Sequence, residues 1–123
     1  MDLGTFSISL TVKDLETSIV FYERLGFKNM GGEQADGWVI MQGSGSTIGL
    51  FHGMFKKNIL TFNPGWDAKA QPVEGFEDIR SIQKKLRNDG IEFEVEADET
   101  TTGPASFIVH DPDGNPVMLD QHV

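Results

Sequence analysis

Asp14 and Gly26 stand twelve residues apart, and Asp78 and Gly90 repeat that interval 64 residues later. Each aspartate precedes an amphipathic stretch whose exposed backbone N–H groups its carboxylate can accept, and each glycine follows the last apolar position, where a left-handed residue ends a helix. The first stretch, from Asp14 through Leu25, places Leu15, Ile19, Tyr22 and Phe21 or Leu25 near helical spacing. The second turns Ile79, Ile82 and Leu86 inward. Strand patterns flank both helices. Residues 6–12 (FSISLTV) alternate with period two, Ser7, Ser9 and Thr11 on one face and Ile8, Leu10 and Val12 on the other. Candidate strands follow at about 27–33, 37–42 and 46–52, then at Ile59–Phe62, and finally in IEFEVE, SFIVH and PVMLD. Two βαβββ units, about 1–55 and about 56–123, therefore account for the whole chain as one α+β domain.

Composition narrows the function. A net charge of -9 leaves no basic patch to displace phosphate counterions, which argues against nucleic acid and against an anionic membrane surface. Apolar runs last only a few residues, against the ~20 that a membrane span needs. The opening MDLGTFSIS has no basic region leading into an apolar core, so no signal peptide is expected. There are no cysteines, which removes a thiolate metal site and a cysteine nucleophile and fits a reducing cytoplasm.

Two stretches break the monotony of the repeat. After its first strand, the second unit runs through FNPGWDAKAQPVEGFE before its helix, a length that suits a lid, a binding loop or an interface. Near the end, HDPDGNPVMLD spells a tight turn, with Asp111 at the first corner, Pro112 fixing φ and Gly114 free to turn left-handed. The strand it launches carries Met118 and Asp120 on one face and Val117 and Leu119 on the other.

The residues VKDLETSIVFYERLGF, followed by a second βαβββ unit ending in DPDGNPVML, resemble the vicinal oxygen chelate superfamily of glyoxalases, bleomycin-resistance proteins and ring-cleaving dioxygenases. The resemblance covers the full chain. It implies a curled mixed sheet with the helices outside and a cavity within, formed by two repeats of one chain or across a homodimer. It also implies, in the enzymes, a divalent metal held by one side chain from the first and last strand of each repeat. Carried over by motif spacing, those positions are Ser7, Gly49, Ile59 (or Asn58, one residue earlier) and Met118, which replaces the glutamate after D-P-D-G-N. A catalytic divalent ion needs about three imidazole or carboxylate donors. Serine, glycine, isoleucine and a thioether do not supply them, so neither a metal nor another cofactor is expected.

The remaining candidates are a ligand-binding set. By alternation the cavity wall would comprise Ser7, Ser9, Gly49, Phe51, Ile59, Thr61 and Met118, with Asp120, Trp38 and Trp66 at its edges. A mostly apolar concavity with a few polar handles suits a small organic molecule, and aromatic faces can also hold a cation. His110 reads as a hairpin residue, His52 as a strand end, and His122 as part of a fraying terminus. Three functions stay open: a metal-free binder like the superfamily's drug-sequestering branch; a divergent lyase- or dioxygenase-like enzyme with its site relocated to Asp120, His52 or His122; and a filled domain acting through dimerisation, with Asn63–Trp66 at the interface.

Overall fold

The computed structural model describes residues 1–123. The elements run β1 (Thr5–Thr11), α1 (Leu15–Arg24), β2 (Lys28–Glu33), a 3₁₀ turn (Gln34–Asp36), β3 (Trp38–Gln42), β4 (Thr47–Phe51), β5 (Ile59–Asn63), α2 (Ile79–Asn88), β6 (Phe93–Val95), β7 (Ala105–His110) and β8 (Pro116–Gln121). The chain is α+β, with βαβββ order twice, as the spacing predicts. Its two compact units are Ser7–Ile59 and Met1–Phe6 with Leu60–Val123. Neither helix is long and apolar enough to cross a membrane.

In the Ser7–Ile59 unit the strands lie in the order β2-β3-β4-β1, with β1 and β4 parallel and the rest antiparallel. Asp14 caps α1 by accepting from the Thr17 N–H at 3.1 Å, which holds its carboxyl below the usual carboxylate range. The helix presses Leu15 and Ile19 onto Val39, Met41 and Leu50, with Leu10, Val12, Tyr22, Phe27 and Ile48 around them. Tyr22 fills the inward position of the last turn. Phe21 and Leu25, considered for that position, are instead 53% and 62% exposed, because they lie about 100° and 300° around the helix from Tyr22.

The other unit orders its strands β5-β8-β7-β6, with β5 and β8 parallel. Ile79 and Ile82 of α2 pack on Phe107 and Leu119, and Leu86 sits at the margin of that core. The expected strand IEFEVE shrinks to three residues. The Ile91 N–H still bonds the Leu86 carbonyl as part of the helix exit, and a bulge at Glu94 breaks the ladder between Phe93 and Val95. The DPDG turn forms as its residues dictate. The Gly114 N–H bonds the Asp111 carbonyl at φ +83°, and the Asp111 carboxylate gathers the N–H groups of Asp113 and Asn115. That closure fixes which residues of β8 oppose β7.

A buried amide anchors the far end of β8. Gln121, 1% exposed, accepts from the Ile79 N–H at 2.8 Å and donates to the Asp78 carboxylate and the Gly103 and Val123 carbonyls. Burial pushes the Asp78 carboxyl up, but the Gln121 amide, the Arg80 N–H and the Arg80 guanidinium together hold it below the ordinary range. Arg80, itself 7% exposed, spends its remaining donors on Asp98, Thr101 and Gly103. Gln121→Ala would strand the Ile79 N–H without an acceptor, and unpaired buried donors cost about 1–3 kcal/mol each. We expect urea denaturation to show a loss of about 2–4 kcal/mol, against less than ~0.5 kcal/mol for an exposed change such as Gln71→Ala.

Candidate functional site

A strand shows one face to its helix and the alternate residues to the other side. In the Ser7–Ile59 unit that open face follows from the register. Ser9 opposes Gly49, which opposes Ile40; Thr11 opposes Phe51, which opposes Trp38. Ser7 shares the face by alternation. Trp38 and Phe51 stack with centroids 6.0 Å apart and planes within 4°, and Phe55 tilts against Phe51 at 5.2 Å. Thr11 pins the segment that carries Phe55, donating its hydroxyl to the Phe55 carbonyl and its N–H to the Asn58 side-chain oxygen. Trp38 and Phe51 stay half-buried, whereas Ser9 and Gly49 are buried.

Gly49 has a particular reason to be glycine. A Cβ there would meet Cε1 of Phe51 at 2.6 Å and Cδ1 of Ile40 at 3.6 Å. The Phe51 ring thus lies across the backbone where a side chain from residue 49 would stand. His52, next along, bonds the Val12 carbonyl through Nδ1 at 3.1 Å and borders a shallow, exposed depression with Lys13, Asp14 and Gln34. Ile59 ends this unit at 5% exposure, and Asn58 is already committed to Thr11.

In the other unit the open face carries Thr61 beside Met118, Met118 beside Ile108, and Asp120 directly opposite Ser106. Thr61 is buried, while Met118, Asp120 and Ser106 are half-buried. Asp120 accepts from His122 Nε2 at 2.8 Å, and the His122 ring meets Trp66 edge-on at 4.6 Å. The hydrogen bond to Asp120 lifts the imidazole above its ordinary value of 6.5, outweighing the burial that would lower it. The Trp66 indole N–H is buried without an acceptor; such a donor costs about 1–3 kcal/mol that an incoming oxygen would recover.

This corrects the expected fraying of the terminus. The tail is held by Gln121 on the Val123 carbonyl, by His122 on Asp120, and by Val123 lying where a Cβ on Gly65 would be 2.7 Å away. Ser106, Asp120, Gln121 and His122, with Pro104 and Ala105, border a shallow depression of about 490 Å³. His110 behaves as a hairpin residue, bonded to Glu94 and to the Gly114 carbonyl. Sequence reasoning singled out Asp120 but not its partnership with His122. The signal was the Asp-x-His spacing, which puts both side chains on one face of an extended chain.

The donor chemistry does not fit the superfamily's divalent ion. Of the four carried-over positions, Gly49 is overlain by Phe51, Ile59 is aliphatic and buried, Ser7 is a neutral hydroxyl and Met118 a thioether. Nowhere do three His, Asp or Glu side chains gather as a metal would require.

The sequence profile of the Glyoxalase/Bleomycin resistance protein/Dioxygenase superfamily matches residues 5–119. No curated protein sequence matches the chain significantly. Among solved structures, a glyoxalase/bleomycin resistance protein/dioxygenase superfamily member from Vibrio splendidus 12B01 is similar at TM-score 0.67 and 18% identity, covering 95% of this chain and 97% of that one. A Streptomyces coelicolor methylmalonyl-CoA epimerase variant in complex with 2-nitronate-propionyl-CoA gives TM-score 0.62 at 14% identity, with 95% of each chain covered. A Legionella pneumophila protein described as NAD-dependent benzaldehyde dehydrogenase gives 0.71 at 13%, covering 97% of this chain and 100% of that one. At these identities the likeness concerns the fold.

Two outcomes follow for the two faces. Gly49→Ala should force the Phe51 ring aside at a cost of about 1–3 kcal/mol, with altered Trp38 fluorescence, and Phe51→Leu in the same chain should restore most of the loss. For His122, the raised folded value means its pairing stabilises fully below 6.5 and fades as pH rises through that folded value. Imidazole resonances followed by NMR should show the elevated titration, and Asp120→Asn should lower it.

Proposed function

The chain belongs to the Glyoxalase/Bleomycin resistance protein/Dioxygenase superfamily, and from that premise we propose that it binds a small organic molecule without the superfamily's metal. The observation that carries this reading is the Phe51 ring over Gly49, stacked on Trp38: a ligand-donor position has become aromatic wall. Planar aromatic surface, the small Ser7 and Ser9, and an overall charge of -9 favour an apolar or aromatic ligand, cationic ones included. On the other unit, Thr61, Met118, Asp120 and Trp66 are the residues we assign to ligand contact; in the Ser7–Ile59 unit, Gly49 and Ile59 are assigned as wall.

We take the protein to act as a cytoplasmic homodimer. Val20 and Phe21 of α1, Leu25 at its C-cap and Met30 of β2 are large apolar side chains left exposed, which supports self-association. Light scattering should return twice the chain mass.

The binding reading is checked by elemental analysis and ligand screening on protein purified without added metal. We expect zinc, nickel, iron and manganese well below one per chain, and a melting temperature raised by a subset of aromatic or cationic compounds. Those compounds should move the Trp38 indole resonance, and Trp38→Ala should weaken them at least tenfold. Stoichiometric metal, or a screen in which nothing binds, would overturn the reading.

A further inference from the structure

The Asp120–His122 pair offers more than contact. We infer that it is a general-base site, His122 taking a proton from water and Asp120 holding the ring, for hydrolysis of small activated esters. The inference goes beyond the binding reading and rests on it only in that the Met118–Asp120 face admits a small molecule.

The geometry has the parts that such a base needs. Nε2 of His122 is engaged with Asp120 at 2.8 Å, which assigns that nitrogen its proton and leaves Nδ1 as the acceptor. The ring is held on a second side by Trp66 at 4.6 Å, and its backbone is fixed by the buried amide of Gln121 one residue earlier. A base must be positioned before its basicity matters. At 44% side-chain exposure His122 remains reachable, and it opens on the depression bordered by Ser106, which stands opposite Asp120. The charged group facing His122 is Asp120; β7 presents the neutral Ser106 and the 63–66 segment the neutral Trp66. The raised titration of His122 agrees with this arrangement, since the hydrogen bond to Asp120 makes the imidazole a stronger base.

The magnitude decides the substrate class. A positioned general base contributes about 10²–10⁴-fold, which suffices for an acyl carbon with a good leaving group but not for an amide. As Nδ1 removes the proton, the water oxygen bonds to the acyl carbon. The C–O bond to the leaving group then breaks, and the proton passes to the departing oxygen, so one acid and one alcohol are the products.

The test is steady-state hydrolysis of 4-nitrophenyl acetate by the full chain. The rate should exceed that of an equal concentration of free imidazole and rise with pH through a midpoint above 6.5, matching the NMR titration of His122. His122→Gln should remove at least nine-tenths of the rate, whereas His52→Gln and His110→Gln should retain it. Asp120→Asn, which removes a positioning residue, should lower both the plateau and the midpoint. A cooperative melting transition and an unchanged Trp38 indole signal would show that the variants are folded. A His122→Gln variant as fast as the parent, or a parent no faster than imidazole, would overturn the assignment. Failure here leaves ligand effects at Trp38 untouched, and their absence would leave this rate untouched.

Discussion

The side-chain amide of Gln121 joins the first turn of α2, the 101–103 segment and the last residue of the chain in one set of hydrogen bonds. Because it is buried, its partners cannot be replaced by water without loss, and so it fixes the phase of β8. In a strand the phase is everything: shifting by one residue would send Met118 and Asp120 into the helix-facing core and bring Val117 and Leu119 out. The DPDG turn sets that phase at one end and Gln121 locks it at the other. The placement of Asp120 opposite Ser106, and of His122 against Trp66, follows from those two clamps.

The two units share a plan and differ in what they do with their open faces. One lays aromatic rings flat, with Phe51 between Trp38 and Phe55 over a glycine. The other stands Asp120 and Ser106 at the margin of a strip made by Thr61, Met118 and Ile108. The helix-facing cores are alike in kind, aliphatic with two or three aromatics, because each has the same task of covering one helix. Divergence is concentrated where packing does not dictate the residue.

Much of the fold was legible because it is written in local chemistry. Asp14 and Asp78 cap the helices they precede, and strand alternation accounts for Gly49 and Phe51 sharing one face and Met118 and Asp120 another. What escaped was set by tertiary contacts. Arg80, Gln83 and Gln121 look like solvated residues in sequence, yet each is buried and satisfied by backbone groups 14 to 42 residues away. The anchored terminus escaped because Gln121, which holds the Val123 carbonyl from two residues away, is itself fixed by Ile79 and Asp78, 42 and 43 residues distant. The shortening of β6 reflects a bulge that no composition rule marks.

The crowding between Gly49 and Phe51 also couples the two positions. Any side chain at residue 49 larger than hydrogen would collide with the ring now lying across it. Trimming Phe51 first would forfeit its stacking on Trp38 and Phe55 before anything filled the space. Either order of change passes through a less stable intermediate. Glycine at 49 and the aromatic ring at 51 therefore behave as one choice, which a single substitution cannot improve upon.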